Sequence, residues 1–299
     1  MTAHSHSTRN GIILVVLSAL LWSIGGTIAR FITVEDTWTV VFWRSLFSSV
    51  FLLLFMLATE GVRETVSMFK RMGWAGLVVA LCFATASTSF VVSLGYTTVA
   101  NVLLMQAGVP LIAALLAWVF LGERVSLSTQ AAIAAVIAGV AIMVSESLTG
   151  KVSPIGDGLA VLIALMFSIA TVVSRHHAEV RMLPAVCLAT TIAGCFAAFM
   201  AREFVVSPVN FAWLVVFGAV NLGAGLAAFT MGVRLIPAAL AALLGTLEPV
   251  TAPIWVWLVH DEVPSLRTII GGTVVFLALF IHLLMEWRRQ PATQVPVSP

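Results

Sequence analysis

The chain has 299 residues, 61% of them hydrophobic and only 9% charged, with a formal net charge of +2. A soluble domain carries roughly a quarter charged residues, so water is excluded as the main solvent and lipid takes its place. No basic stretch of the kind that binds nucleic acid is present, and no polar segment is long enough to fold as a separate soluble domain.

A helix needs about 20 apolar residues to cross the hydrocarbon core, and within lipid its backbone groups bond inside their own segment. The sequence predicts ten such spans, at 11–31, 38–58, 74–94, 98–120, 127–146, 156–175, 184–202, 211–232, 238–259 and 266–286. Residues 1–10 form a polar tail. The apolar run after it is too long for a signal peptide and shows no small-residue cleavage site, so it is read as a retained span. Residues 147–155 link the fifth and sixth spans, and 287–299 form a second polar tail. Cys82, Cys187 and Cys195 all fall inside apolar runs, where free cysteine behaves as a small buried hydrophobe. They have neither metal-ligand spacing nor a redox partner.

Loop charges set the orientation. With the N-terminus in the cytoplasm, the inner segments hold Arg9, Arg63, Lys70, Arg71, Arg124, Arg175, Arg181, Arg234, Arg288 and Arg289. The outer segments hold only Arg30, Lys151, Arg202 and Arg267. The positive-inside rule therefore places both termini in the cytoplasm. Trp38, Trp74, Trp213 and Trp287 fall at span ends, where aromatic rings anchor at the interface.

The chain contains an internal duplication. Pro110, Trp118 and Glu123 recur 139 residues later as Pro249, Trp257 and Glu262. Gly11, Ser23, Ile24 and Arg30 recur 145 residues later as Gly156, Ser168, Ile169 and Arg175. Each copy, 11–146 and 156–286, has five spans. An odd number makes the second copy enter the membrane from the opposite side, as an inverted repeat. That is the architecture of many secondary transporters, with a site near the midplane between the repeats.

Two five-helix halves, each ending in a Pro…Trp…Glu run followed by a helix rich in small residues, resemble the drug/metabolite transporter superfamily and specifically its EamA family. The run 247–249 (Leu-Glu-Pro) and the Trp43-Arg44 pair fit the same resemblance. Length and composition are most similar to the bacterial YddG-type exporters of aromatic and other neutral amino acids. The resemblance implies an all-α membrane protein with ten helices around a central cavity. It implies that spans 3, 4, 8 and 9 form the wall, with 1 and 6 beside them, and that 5 and 10 pack at the back or in a dimer interface. The implied location is the bacterial inner membrane, as a monomer or homodimer whose partners are lipid and a small-molecule substrate.

Polar groups deep in a membrane are costly and mark functional or structural contacts. Glu248, near the middle of the ninth span, either lines the pathway, binding a substrate ammonium or a proton, or bonds to neighbouring helices. Pro249 and Pro253 each remove a helix donor and predict a kink; Pro110 plays the same part in the fourth span. Arg44, the one cation inside a span, serves either as an internal partner of helix ends and carboxylates or as a contact for a substrate carboxylate.

Thr85, Ser89 and Ser93 recur every four residues on one face of the third span. There they either bond back to the helix or line the cavity. Asn101 shares a face of the fourth span with Met105 and Gly108; Gln106 faces elsewhere, with Pro110. Asn221 lies among glycines in the eighth span, set for either a close helix contact or a substrate contact. Trp22 lies too deep for the interface and offers either packing or a flat face for a side chain. Ser168 and Thr171 are the weaker candidates on the sixth span.

No phosphate-binding loop, metalloprotease motif or nucleophile elbow is present. The chain is therefore expected to be neither an ATP-driven pump nor an enzyme, and to use no cofactor. The sequence expectation is a secondary transporter exporting amino acids by alternating access. A drug or metabolite carrier of the same fold, proton-coupled or not, is the alternative, and a membrane receptor or scaffold the alternative outside transport.

Overall fold

A computed structural model describes residues 2–122, 126–145, 153–177, 179–236, 241 and 244–289. Regular structure among them is entirely helical. The helices are α1 (Thr2–Ser23), α2 (Gly25–Phe31), α3 (Thr37–Arg71), α4 (Gly73–Ser93), α5 (Val99–Gln106), α6 (Val109–Leu121) and α7 (Leu127–Val144). They continue as α8 (Pro154–His176), α9 (Leu183–Met200), α10 (Pro208–Gly232), α11 (Leu247–His260) and α12 (Leu266–Arg289).

Helix starts follow the capping residues. Asp36, Thr98, Ser126, Ser153 and Ser207 each accept a hydrogen bond from a backbone N–H of the turn that follows, which satisfies donors that a helix leaves open. Pro154 and Pro208 sit in first turns, where their missing N–H does no harm.

Among the described residues, eight helices are long and apolar enough to cross a membrane, or nine if α5 and α6, bent by 41°, make one span. The predicted span 238–259 starts in residues outside those described, and the helix described within it is α11. Three departures from the predicted spans have local causes. The first span begins at Thr2 and breaks at Ile24 into α1 and α2. α3 runs on to Arg71 past a break at Gly61, whose φ of 78° marks the point where the apolar run gives way to Arg63, Glu64 and Lys70. The middle of α10, Val216–Ala224, is π-helical. There Gly218 and Gly223 bring its backbone against Phe47 and Phe51 of α3.

Large apolar side chains cover the outside; Phe120 is 76% and Phe199 84% exposed. Cys82 and Cys187 are buried as expected, whereas Cys195 belongs to this exposed shell. Inside it, the packed pairs run in a closed ring: α3 on α9, α9 on α4, α4 on α8, α8 on α5 and α6, α5 on α11, α11 on α1 and α2, α1 on α10, and α10 on α3. Helices opposed across the ring, α4 and α10 or α1 and α8, share no extended contact. α7 and α12 stand outside it and pack on each other. A Cβ at Gly139 would lie 2.7 Å from the Gly271 carbonyl, so small residues set that approach.

Some contacts recur between corresponding helices of the two copies. Phe83 meets Phe167 at 5.0 Å between ring centres, and Trp22 meets Phe229 at 5.2 Å. Gly156 abuts Tyr96 and Thr97; its equivalent, Gly11, abuts Leu235 and Ile236.

One end of the ring is closed by charge and by an aromatic plug. Glu262, just past α11, takes Arg30 Nε at 2.8 Å on one oxygen and the Val99 N–H at 2.8 Å on the other. Arg30 also donates to the carbonyls of Leu94 and Thr97. One carboxylate thus caps α5 and anchors a guanidinium that caps α4, joining the ends of four helices. His260 grips the other side of α2, at the Thr27 carbonyl. Below the pair, Phe90 packs against three clusters at once: one around Ile28, Val41 and Phe217, one around Val102 and Ile163, and one around Leu103 and Val256.

Asp36 caps α3 nearby. Burial works to raise its pKa, but hydrogen bonds from the Arg202 N–H, the Thr39 hydroxyl and the Trp38 N–H outweigh it and hold the carboxyl below its ordinary 3.8. The same Thr39 hydroxyl lies in short contact with the Glu203 carbonyl, so two acceptors share its one proton.

Three outcomes are expected in detergent micelles. Gly271→Leu forces α7 and α12 apart and lowers stability by about 2 kcal/mol, read from the unfolding midpoint. Arg30→Ala and Glu262→Ala each cost about 2 kcal/mol, while the double variant costs little more than either, because the pair is half-buried and shared. Because the Asp36 pKa is lowered on folding, its contribution is complete above the unfolded value and lost as pH falls through the folded one. Asp36→Asn therefore lowers the melting temperature at pH about 7 and flattens its decline below pH about 4.

Candidate functional site

Polar side chains gather at three places around the ring. The first lies where α5, α8 and α12 meet at the closed end. The Ser153 cap and Pro154 start α8 so that Asp157 falls in its first turn, where open N–H groups favour an anion. Asp157 is 3% exposed and Asn101 4%. Asn101 Nδ2 donates to Asp157 Oδ1 at 2.6 Å and to Thr97 Oγ1 at 3.0 Å, and the Thr268 hydroxyl reaches Asn101 Oδ1 at 3.4 Å. These groups, with Ser153 and Ser265, line a cavity of about 370 Å³. That size suits a small polar solute or a water cluster. Asn101 was singled out by its polarity in the sequence; Asp157 was not, although it is the one acid in the apolar run of α8.

The second place is the α11 face that carries Glu248. This residue lies in the first turn of α11, is half-buried, and makes no hydrogen bond or ion pair among the described residues. A Cβ at Gly245, one turn earlier, would meet nothing within 4 Å, so the backbone borders open space there. Two turns further on, Trp255 Nε1 donates to Ser23 Oγ of α1 at 3.2 Å. Pro249 sits in the first turn of α11 and breaks no bond. The kink expected from both prolines therefore falls to Pro253, which lies inside the helix. Pro110 likewise starts α6, and the 41° bend between α5 and α6 lies just before it.

The third place is Arg44, in the part of α3 that passes the π-helical turn of α10. Its Nη1 donates to Ser87 Oγ at 2.8 Å, and its guanidinium carbon lies 4.4 Å from the centre of the Phe217 ring and 5.7 Å from that of Phe90. An Arg44–Glu248 ion pair does not form: Arg44 makes no salt bridge among the described residues. Ser87 and Phe217 are the contacts that sequence reasoning passed over. An odd hydroxyl and an apolar ring carry no signal until their helices are placed.

The remaining candidates divide. Asn221 Nδ2 donates to the carbonyls of Leu21 at 2.5 Å and Trp22 at 3.4 Å. It serves the open carbonyls at the end of α1, the helix contact of its two expected roles. Trp22 lies over Gly225, with its Nε1 buried and without a partner. The hydroxyl stripe of α4 is split: Thr85 is exposed, while Ser89 and Ser93 are buried and Ser93 bonds back to the Phe90 carbonyl. A four-residue step drifts about 40° round a helix of 3.6 residues per turn, so the outer members of the stripe face different surroundings. Met105 is core, packed with Met143 and Ile163. Gln106 bonds back to the Val102 carbonyl at 3.4 Å. Ser168 donates to Ala164, and its oxygen lies 3.2 Å from the carbonyl of Val109, beside the α5–α6 bend.

The family comparison divides the chain as its duplication does. No curated protein matches it significantly. A solved structure titled "Crystal structure of protein" shares its fold, with a TM-score of 0.65 and 18% identity over 95% of this chain and 99% of that one. The profile of the EamA-like transporter family matches residues 9–145 and again 154–284. The chain therefore belongs to the EamA-like transporter family, whose members are multi-pass membrane transporters of small molecules.

Proposed function

We propose that this protein is a secondary transporter that exports amino acids, aromatic and other neutral ones, across the bacterial inner membrane. The observation that carries the reading is the ring itself. Ten of the described helices pack in a closed circuit whose opposed members share no extended contact, and one end of it is closed by the Arg30–Glu262 pair and Phe90. A pathway between helices, blocked at one end, is what alternating access requires.

In this proposal the two copies are inverted five-helix halves, ten spans in all, with both termini in the cytoplasm. The closed end then faces the periplasm. The paired contacts, Phe83–Phe167 with Trp22–Phe229 and Gly156 with Gly11, support equivalent roles for the two halves. Trp22, Phe83, Phe167 and Phe229 would supply apolar surface for a side chain. Asn101, Asp157, Arg44 and Glu248 would supply polar and charged contacts.

Glu248 favours a second reading of the cargo or its coupling. A charged side chain at the centre of a span costs about 3 kcal/mol on insertion scales, so an unpaired carboxylate there belongs on the pathway. It suits a cationic substrate or a coupled proton as well as an amino-acid ammonium. Purified protein in liposomes is expected to accelerate the flux of radiolabelled neutral amino acids over protein-free liposomes. Glu248→Gln should lower that flux at least about tenfold without changing elution volume or melting temperature. Unchanged flux would remove Glu248 from the mechanism, and no flux of any amino acid would refute the proposed cargo.

A further inference from the structure

We infer that Arg44 is the receptor for a carboxylate group of the transported solute. This rests on the transporter reading and adds to it a chemical requirement: the solute is an acid or a zwitterion.

Arg44 is 6% exposed, inside the apolar shell, and faces no acid among the described residues. A buried guanidinium without a counter-ion is unfavourable, and most buried charges are paired. The way its bonds are distributed is more specific than its burial. Nη1 is taken by the hydroxyl of Ser87, with the Ser87 carbonyl at 3.5 Å. Nε is buried and has no partner, and Nη2 has no partner either. The free side of the guanidinium is thus the Nε–Nη2 edge. Its two parallel N–H groups match the two oxygens of a carboxylate.

The surroundings fit a receptor more closely than a structural tether. Phe217 lies under the guanidinium and Phe90 beside it, which steadies the cation without supplying an acceptor to its buried Nε. Phe90 is the side chain shared by the three clusters that close the ring, so Arg44 packs directly against that closure. The backbone beside it is irregular: the π-helical turn Val216–Ala224 passes Arg44, with Gly218 set directly on the Arg44 carbonyl. Single π turns inside α-helices are frequent at functional sites. Seating a carboxylate on the free edge would neutralise the buried charge and supply both missing acceptors.

The test compares acids with their amides on the intact purified protein. The probes are phenylalanine, leucine, benzoate and pyruvate, each against its carboxamide. Binding is read as a shift in melting temperature, and flux is read in liposomes. At least one acid is expected to stabilise the wild type and to be carried about tenfold better than its amide. Arg44→Lys keeps the charge but loses the fork, and should erase that preference, read as the ratio of acid to amide flux. Ser87→Ala frees Nη1 and should raise the KM for the acid several-fold. If Arg44→Lys does not fold, the acid–amide comparison on the wild type and the Ser87→Ala variant still decide. Equal treatment of every acid and amide by the wild type, or a preference that survives in Arg44→Lys, would overturn the assignment. Flux without acid preference would leave the transporter reading standing and Arg44 outside it. Acid binding that depends on Arg44 but brings no flux would uphold the site and sink the transporter reading.

Discussion

A charge held inside hydrocarbon must be paired, hydrogen-bonded or turned toward a wet or ligand-filled space, and this fold is arranged around that requirement. The chain is 9% charged, so each buried charge is a separate structural event. Arg30 and Glu262 meet the requirement by pairing, and in doing so they tie together the ends of four helices. Asp157 meets it through Asn101 and the first turn of α8. Arg44 and Glu248 meet it least. One has a free edge and the other has no partner among the described residues. The first two are satisfied within the fold, while the last two are the groups on which the proposed pathway depends.

The irregular backbone has a related distribution. The break at Ile24, the bend between α5 and α6, Pro253 inside α11 and the π turn of α10 all fall on helices of the ring. The outlying pair α7 and α12 is held instead by a close contact of small residues. Irregular turns release carbonyls and N–H groups that lipid cannot satisfy. Side chains such as Asn221, at the end of α1, serve them within the protein. The interruptions thus lie in the ring, while α7 and α12 outside it are continuous.

Much of this was legible in the sequence. Hydropathy located most of the described helices to within a few residues, because lipid leaves the chain few alternatives to the helix; the exceptions are the starts of α1 and α11 and the run of α3 past Gly61. The recurrence of Pro, Trp and Glu divided the chain at the place where the family match divides it. What escaped was whatever depends on which helix lies beside which. Arg30 and Glu262 were legible as a loop charge and a repeat marker, but 232 positions separate them and nothing in the pattern joins them. The stripe of Thr85, Ser89 and Ser93 was visible, yet α4 turns its first member outward and buries the other two. Ser87, outside the stripe, is the hydroxyl that binds Arg44. The π turn left no trace because a run of small and apolar residues suits either winding.

The account depends most on the closed end being one of two states, held shut by the Arg30–Glu262 pair. Spin labels at Tyr96 and Val263, both exposed at that end, would report its opening as a distance distribution, with the exposed Cys195 replaced to keep labelling specific. The account predicts one short distance in the wild type, and a second, longer population once Glu262 is changed to Ala in an otherwise folded protein. A single distance that neither this substitution nor added amino acid alters would contradict it.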